Sequence, residues 1–200
     1  TAGQDDTADS TGFRFGDITF QPCTLDSGMA QTTIEARCGE LEVAEDPDAA
    51  DGRRIGLNIA WLPATGAAGG THDPVFFFAG GTGQAATTLA WQINQSLRQV
   101  RRQRDLILID QRGTGGSNPL SCLDADGEPM PLDPEAMASA GSLLPYVQDC
   151  LASLQGRADP RMYTTGHAIA DFNAVREALG VERINLVGGS YGTRVAQQYA

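Results

Sequence analysis

The residues Gly188-Gly189-Ser190-Tyr191-Gly192 set one serine in the pattern G-x-S-x-G. Ile184 to Val187, just ahead of it, reads as a buried strand, and a helix is expected to start at Thr193. In that setting Ser190 occupies the apex of a sharp, strained turn. Glycines two before and two after remove the Cβ atoms that would collide as strand and helix close on each other. The helix N-terminus faces the serine and favours the negative charge that develops during attack on a carbonyl. Ser190 is therefore the expected nucleophile of an acyl transfer. A glycine turn without chemistry is the alternative, and the flanking strand and helix argue against it. The tetrahedral intermediate of acyl transfer needs N–H donors about 3 Å from its oxyanion. The Tyr191 amide is expected to supply one. The other is expected from Gly81, within Gly80-Gly81-Thr82-Gly83, directly after the apolar run Val75-Phe76-Phe77-Phe78-Ala79. A P-loop is excluded there, because the chain has no GxxxxGK[ST] pattern and no lysine.

Other reactive side chains fit this chemistry less directly. Asp110 and Arg112, in Asp110-Gln111-Arg112-Gly113-Thr114-Gly115-Gly116-Ser117, could do acid–base work; bracing of the loops around the site is the favoured role. A serine nucleophile on such a turn takes its acid and histidine later in the chain. Only ten residues follow Ser190, and none is an acid or a histidine. Both histidines precede it. His72 lies before a strand, at the sheet edge opposite the expected site. His167 lies near the start of a helix on the expected site's side, where a surface or capping role is favoured over that of a base.

The four cysteines form no CxxC pair, which disfavours zinc and dithiol redox chemistry. Cys23 and Cys38 flank a hairpin, and Cys122 and Cys150 flank an irregular insertion. Local pairing, Cys23–Cys38 and Cys122–Cys150, is the simplest of the three possible connectivities. Each bridge would contribute roughly 3 to 4 kcal/mol in the chain-entropy picture. Bridges imply an oxidising compartment, so a periplasmic or secreted location is expected; four free thiols in a cytosolic protein are the alternative. No metal or organic cofactor is implied, since acyl transfer by a serine needs neither.

The elements that must hold these residues follow from the apolar spacing. Phe13 to Leu25, Ile34 to Val43 and Arg54 to Leu62 alternate and read as an antiparallel meander. Pro74 to Ala79, Asp105 to Asp110 and Ile184 to Val187 are continuous apolar strands, as expected when both faces of a sheet are covered. A helix is expected over residues 85–102, on Leu89, Ile93, Leu97 and Val100, and another near Tyr146 to Leu154. A third follows a Thr164 or Thr165 cap, with Ala168, Phe172, Val175 and Leu179 as its apolar stripe and Gly180 at its end. Strands alternating with helices predict a parallel sheet with crossover helices.

The 200 residues suffice for one substantial core, and 41% hydrophobic with 20% charged residues is ordinary for a soluble domain. A net charge of −11, with all 14 basic residues arginine, repels nucleic acid and anionic membranes. No apolar run approaches the ~18 residues of a membrane span.

The stretches FFFAGGTGQA, DLILIDQRGTGGSNPLSC and YTTGHAIADFNAVREALGVERINLVGGSYGTRVAQQYA resemble the prolyl aminopeptidase and tripeptidyl aminopeptidase branch of the α/β-hydrolase superfamily. The resemblance covers Pro74 to Ala200. The segments CTLDSG and ARCGELEVAED are also similar to its secreted members. It implies an α/β-hydrolase fold, mostly parallel with antiparallel N-terminal strands, whose C-terminal strands and cap are absent here. Residues 13–200 would be the N-terminal portion of that catalytic domain, and residues 1–12 a disordered lead. The implied reaction is release of N-terminal residues from peptides through an acyl-enzyme on Ser190, with the Gly81 and Tyr191 amides holding the oxyanion. AGGTG stands where the family often has HGGPG or PGGPG, which leaves the amide geometry feasible and the loop less rigid. The triad Asp and His are expected on a C-terminal portion, on the same native chain or a second one, and residues 1–200 alone are expected to be inactive. A carboxylesterase or lipase on the same scaffold, and a binding protein that has lost its triad, are the alternatives.

Overall fold

The computed structural model describes residues 12–26, 32–49, 51–66, 72–132 and 140–200. Strands β1 (Phe13–Phe15), β2 (Ile18–Asp26), β3 (Thr33–Ala44) and β4 (Arg54–Leu62) form an antiparallel run. Three parallel strands follow: β5 (Val75–Phe78), β6 (Leu106–Ile109) and β7 (Asn185–Gly188). All pair into one seven-stranded sheet of order β1-β2-β3-β4-β6-β5-β7, with β4 antiparallel to β6. Helix α1 (Ala90–Ser96) joins β5 to β6. Helices α2 (Ala140–Ser153) and α3 (Thr165–Ala178) lie between β6 and β7, and α4 (Tyr191–Tyr199) follows β7.

Both faces of the sheet are covered. Phe76 and Phe78 of β5 pack with Leu57, Ile59, Ile107 and Ile109 against Phe172 and Val175 of α3 and Val195 of α4. On the opposite face Val75, Leu106, Leu108, Ala60 and Leu62 pack against Ala90 and Ile93 of α1. This is why the central strands are apolar at every position. The loops leaving the adjacent strands β5 and β7 therefore turn to opposite faces, toward α1 and α4. Such divergence opens a crevice at the carboxyl ends of the strands, the place where open α/β sheets hold their ligands.

Several boundaries differ from those the sequence suggests. The segment Phe13 to Leu25 is two strands, not one. Gly16, at φ 59°, turns the chain so that Phe15 pairs with Ile18. The Asp17 amide then donates to Ala178 O at 2.7 Å, tying this turn to the end of α3. The helix expected over 85–102 is α-helical only over Ala90–Ser96, between short 3-10 turns at Thr87–Leu89 and Val100–Arg102. Beyond Leu97 tertiary bonds outweigh helix continuation: Arg101 Nε donates to Pro63 O at 2.9 Å, and Thr65 N–H donates to Arg101 O at 2.8 Å. Helix α2 begins at Ala140 rather than near Tyr146, and it contains Pro145 in its second turn. Helix α4 begins at Tyr191, directly on Ser190, not at Thr193. The expected disorder of residues 1–12 lies, apart from Gly12, outside the described residues.

Candidate active site

Ser190 sits between the end of β7 and the first residue of α4, with φ 50° and ψ −119°. Among the described residues only Asn118 and Ser190 take positive φ without being glycine. Such a conformation persists only where the surroundings hold it. Here the Gly189 amide donates to Phe78 O of β5 at 3.1 Å, and the Gly192 amide to Gly189 O at 2.8 Å. Ser190 O accepts from the Thr193 amide at 3.1 Å and from the Thr193 hydroxyl at 2.6 Å. A Cβ on Gly188 would run into the Gly192 backbone, and one on Gly192 into Phe78 O. Glycine is what lets strand and helix approach this closely.

The loop after β5 comes to the same place. Gly80 is packed so tightly on Ser190 that an added Cβ would lie 3.0 Å from the serine Cβ. Gly81 follows at φ 101°, exposed, as is Ser190. Among the described residues neither the Gly81 nor the Tyr191 amide donates to another backbone carbonyl. Tyr191 opens α4, where the first amides have no intrahelical acceptor. The strained serine, the helix N-terminus and the glycine loop thus converge at the carboxyl ends of β5 and β7. The Tyr191 phenol meets the Thr165 hydroxyl at the start of α3.

Asp110 and Arg112 are held as braces. Asp110 is fully buried. Its Oδ1 accepts from the Thr87 amide and hydroxyl, each at 2.9 Å. Its Oδ2 accepts from Asn58 Nδ2 at 2.9 Å and the Gly116 amide at 3.1 Å. One carboxylate so joins the 3-10 turn that follows the glycine loop, strand β4 and the loop after β6. Arg112 is 2% exposed and forms a two-pronged pair with Asp171 of α3, at 2.6 and 2.7 Å. Its remaining donors reach Glu45 O at 2.7 Å, Met162 O at 2.9 Å and Ala44 O at 3.2 Å. Burial pushes the Asp171 carboxyl up, and the Arg112 hydrogen bonds and charge pull it down.

Among the described residues neither histidine forms a hydrogen bond with Ser190. His72 precedes β5 and is exposed, at the opposite end of the sheet from Ser190. His167 lies in the first turn of α3, with Nδ1 2.8 Å from Thr164 Oγ1. Thr164 is the cap of α3, accepting from the His167 amide. Cys23 is bonded to Cys38, across β2 and β3, and Cys122 to Cys150, which ties α2 to the loop after β6. Among the described residues no cluster of three or more His, Cys, Asp or Glu is placed to hold a metal ion.

Sequence reasoning missed three participants. Asn58 sits on the other face of β4 from Ile55, Leu57 and Ile59 and donates to Asp110 Oδ2, 52 residues away, so alternation alone did not mark it. Glu45 is buried and gathers Arg53 Nη1 at 2.7 Å, the Asp159 amide at 2.9 Å and the Tyr163 hydroxyl at 3.0 Å. The Thr165–Tyr191 contact spans 26 residues and leaves no local pattern.

The fold and this strand–turn–helix with its facing glycine loop define an α/β protein with a serine at its carboxyl edge. Residues 73–200 match the family described as alpha/beta hydrolase fold, and the chain belongs to that family. It is 28% identical over 193 residues to the serine protease Hip1 of Mycobacterium tuberculosis, covering 92% of this chain and 36% of that protein. It is 25% identical over 193 residues to a tripeptidyl aminopeptidase of Streptomyces lividans, covering 91% of this chain and 35% of that one. The chain thus spans about a third of the length of these relatives. A solved structure titled a "probable hydrolytic enzyme" of Pseudomonas aeruginosa aligns with a TM-score of 0.48 at 16% identity, over 82% of this chain and 36% of that one. Among the described residues no helix is long and apolar enough to cross a membrane.

Proposed function

We propose that the protein is a serine peptidase of the aminopeptidase type, releasing N-terminal residues from peptides through an acyl-enzyme on Ser190. The observation that carries this reading is Ser190 itself, held at φ 50° between β7 and α4 with Gly80 packed against it. Ser190 Oγ attacks the carbonyl carbon of the scissile bond. The Gly81 and Tyr191 amides, both without a backbone acceptor among the described residues, hold the oxyanion. Collapse of the intermediate expels the new amine and leaves the acyl group on Ser190; water then releases it.

The general base and the acid that orients it are assigned to a C-terminal portion of the hydrolase, on the same native chain or a second chain. In this reading residues 13–200 are the N-terminal portion of the catalytic domain. The histidine placements support the assignment, since His72 is at the wrong end and His167 belongs to a helix cap. The peptide substrate class is supported by the serine protease and the tripeptidyl aminopeptidase that the chain is similar to. The two cysteine bridges support a periplasmic or secreted location.

The test uses the full-length protein with three substrates: tripeptidyl and aminoacyl anilides with free N-termini, the same anilides with blocked N-termini, and short-chain esters. Turnover of free-amine anilides above the blocked forms and the esters is expected. Preference for esters would replace the peptidase assignment by an esterase, and turnover that survives Ser190→Ala would remove Ser190 from its role.

A further inference from the structure

Helices α3 and α4 are joined by two rungs of side-chain hydroxyl contacts. At the first, the Thr165 hydroxyl meets the Tyr191 phenol. At the second, the Tyr199 hydroxyl donates to Asn173 Oδ1 at 3.3 Å. Both rungs ascend together, Thr165 to Asn173 on α3 and Tyr191 to Tyr199 on α4, so the two helices run parallel. The rungs stand about 12 Å apart along them, at ~1.5 Å per residue. Between the rungs, Asp171 of α3 is gripped by Arg112 in a pair with both side chains nearly fully buried. Phe172 and Val175 anchor the same helix on the sheet, with Leu179 just past its end. Helix α4 is anchored on the same core through Val195, and the rungs set its register against α3.

The first rung falls on the residue that follows the strained serine. Tyr191 is the first residue of α4, so no helical bond restrains its amide. The Ser190 carbonyl, in the same peptide plane, is held by the Thr193 amide and hydroxyl, and the Tyr191 ring packs against the core; the Thr165 contact adds a tether at the far end of the side chain. Without the Thr165 contact the Tyr191 N–H would be held less closely against the Gly80–Gly83 loop, while the Gly189 bond to Phe78 keeps the Ser190 turn in place. We propose that Thr165 is a positioning residue for acylation of Ser190: through the Tyr191 hydroxyl it holds the Tyr191 amide in the oxyanion geometry. This rests on Ser190 being the nucleophile. Thr165 itself touches neither the substrate nor the reacting atoms.

The experiment measures inactivation of the full-length protein by a fluorophosphonate probe, resolving the limiting rate of labelling from probe affinity. Thr165→Val and Tyr191→Phe break the same contact from its two sides with little change of shape. Each is expected to slow the limiting rate about three- to tenfold, the worth of one neutral hydrogen bond, with probe affinity unchanged. The double variant is expected to be no slower than the slower single one, because both remove one interaction. Thr165→Ser restores the hydroxyl and is expected to recover the rate. Tyr199→Phe breaks the distant rung and is expected to lower the melting temperature without slowing labelling. A labelled wild type with Thr165→Val equally fast, multiplying effects in the double variant, or an equal slowing by Tyr199→Phe would overturn the positioning role while leaving Ser190 in place. A wild type that the probe does not label at Ser190 would overturn the reading beneath it as well.

Discussion

Asp110 accepts from the Thr87 amide and hydroxyl, Asn58 Nδ2 and the Gly116 amide in a fully buried place. Asp110→Ala strands those donors, and each buried unsatisfied donor costs about 1 to 3 kcal/mol. Urea unfolding of this variant should therefore show a loss of about 3 kcal/mol or more, with reduced labelling of Ser190 because the 3-10 turn behind the glycine loop loses its anchor. A second residue gives a pH signature. Burial raises the Tyr163 phenol to about 12; the Asn118 bond opposes this, and the Glu45 bond and charge add to it. The unfolded phenol ionises near 10. Between those values the unfolded chain loses the proton while the folded protein keeps it, so stability falls as pH rises through that window. The Tyr163 contribution is fully present below pH ~10, and Tyr163→Phe should flatten the alkaline loss seen in chemical unfolding. An unchanged slope would mean that another group dominates there. At this scale Ser190 was legible because its glycines, strand and helix lie within a few residues. Asn58, Glu45 and Thr165 act across separations of 26 to 118 residues, where no local spacing records a partner.

Strand and helix identity followed from periodicity, and the errors have physical causes. Strand β4 and the apolar strands β5 and β6 stand close to where alternation and continuous burial put them. The β1–β2 turn was missed although the apolar phase breaks there, with Phe13 and Phe15 giving way to Ile18 and Phe20 across Gly16 and Asp17; the Asp17 bond to Ala178 that fixes the turn is tertiary. Helix α1 stops early because Arg101 is drawn to Pro63 O and Asn94 Oδ1, at 2.9 and 2.6 Å. The β2–β3 pair carries its own test. Cys23 pairs with Ala36 in register and Cys38 with Gln21, so the Cys23–Cys38 bridge crosses the ladder diagonally. It closes a separation of 15 residues, for which the chain-entropy picture gives about 3 kcal/mol. The double variant Cys23→Ser/Cys38→Ser should lose about that much in denaturant unfolding, with Ser190 labelling kept under native conditions. Loss of labelling in a folded variant would show that the meander reaches the site.

For the whole molecule, the site depends on one topological fact: α1 and α4 cover opposite faces of the sheet, so the loops after β5 and β7 part at their carboxyl ends. That divergence follows from strand order, which the sequence did not reveal, although the strand–helix alternation was plain. Among the described residues β7 pairs on one side only, with β5, and all four of its residues are partly exposed, unlike those of β6. An open edge of this kind recruits other chains. Residues 1–200 expressed alone should therefore self-associate and show no anilide turnover above the oxyanion-hole background, checked by light scattering and by assay. A soluble monomer with enzyme-like turnover would instead make His167 the candidate base. The central claim, that Ser190 is the nucleophile, is tested most directly by intact-mass and peptide mapping of the full-length protein after fluorophosphonate treatment. One adduct per chain, on the peptide carrying Ser190 and absent from Ser190→Ala, is the predicted result. An adduct on another residue, or equal labelling of Ser190→Ala, would contradict it.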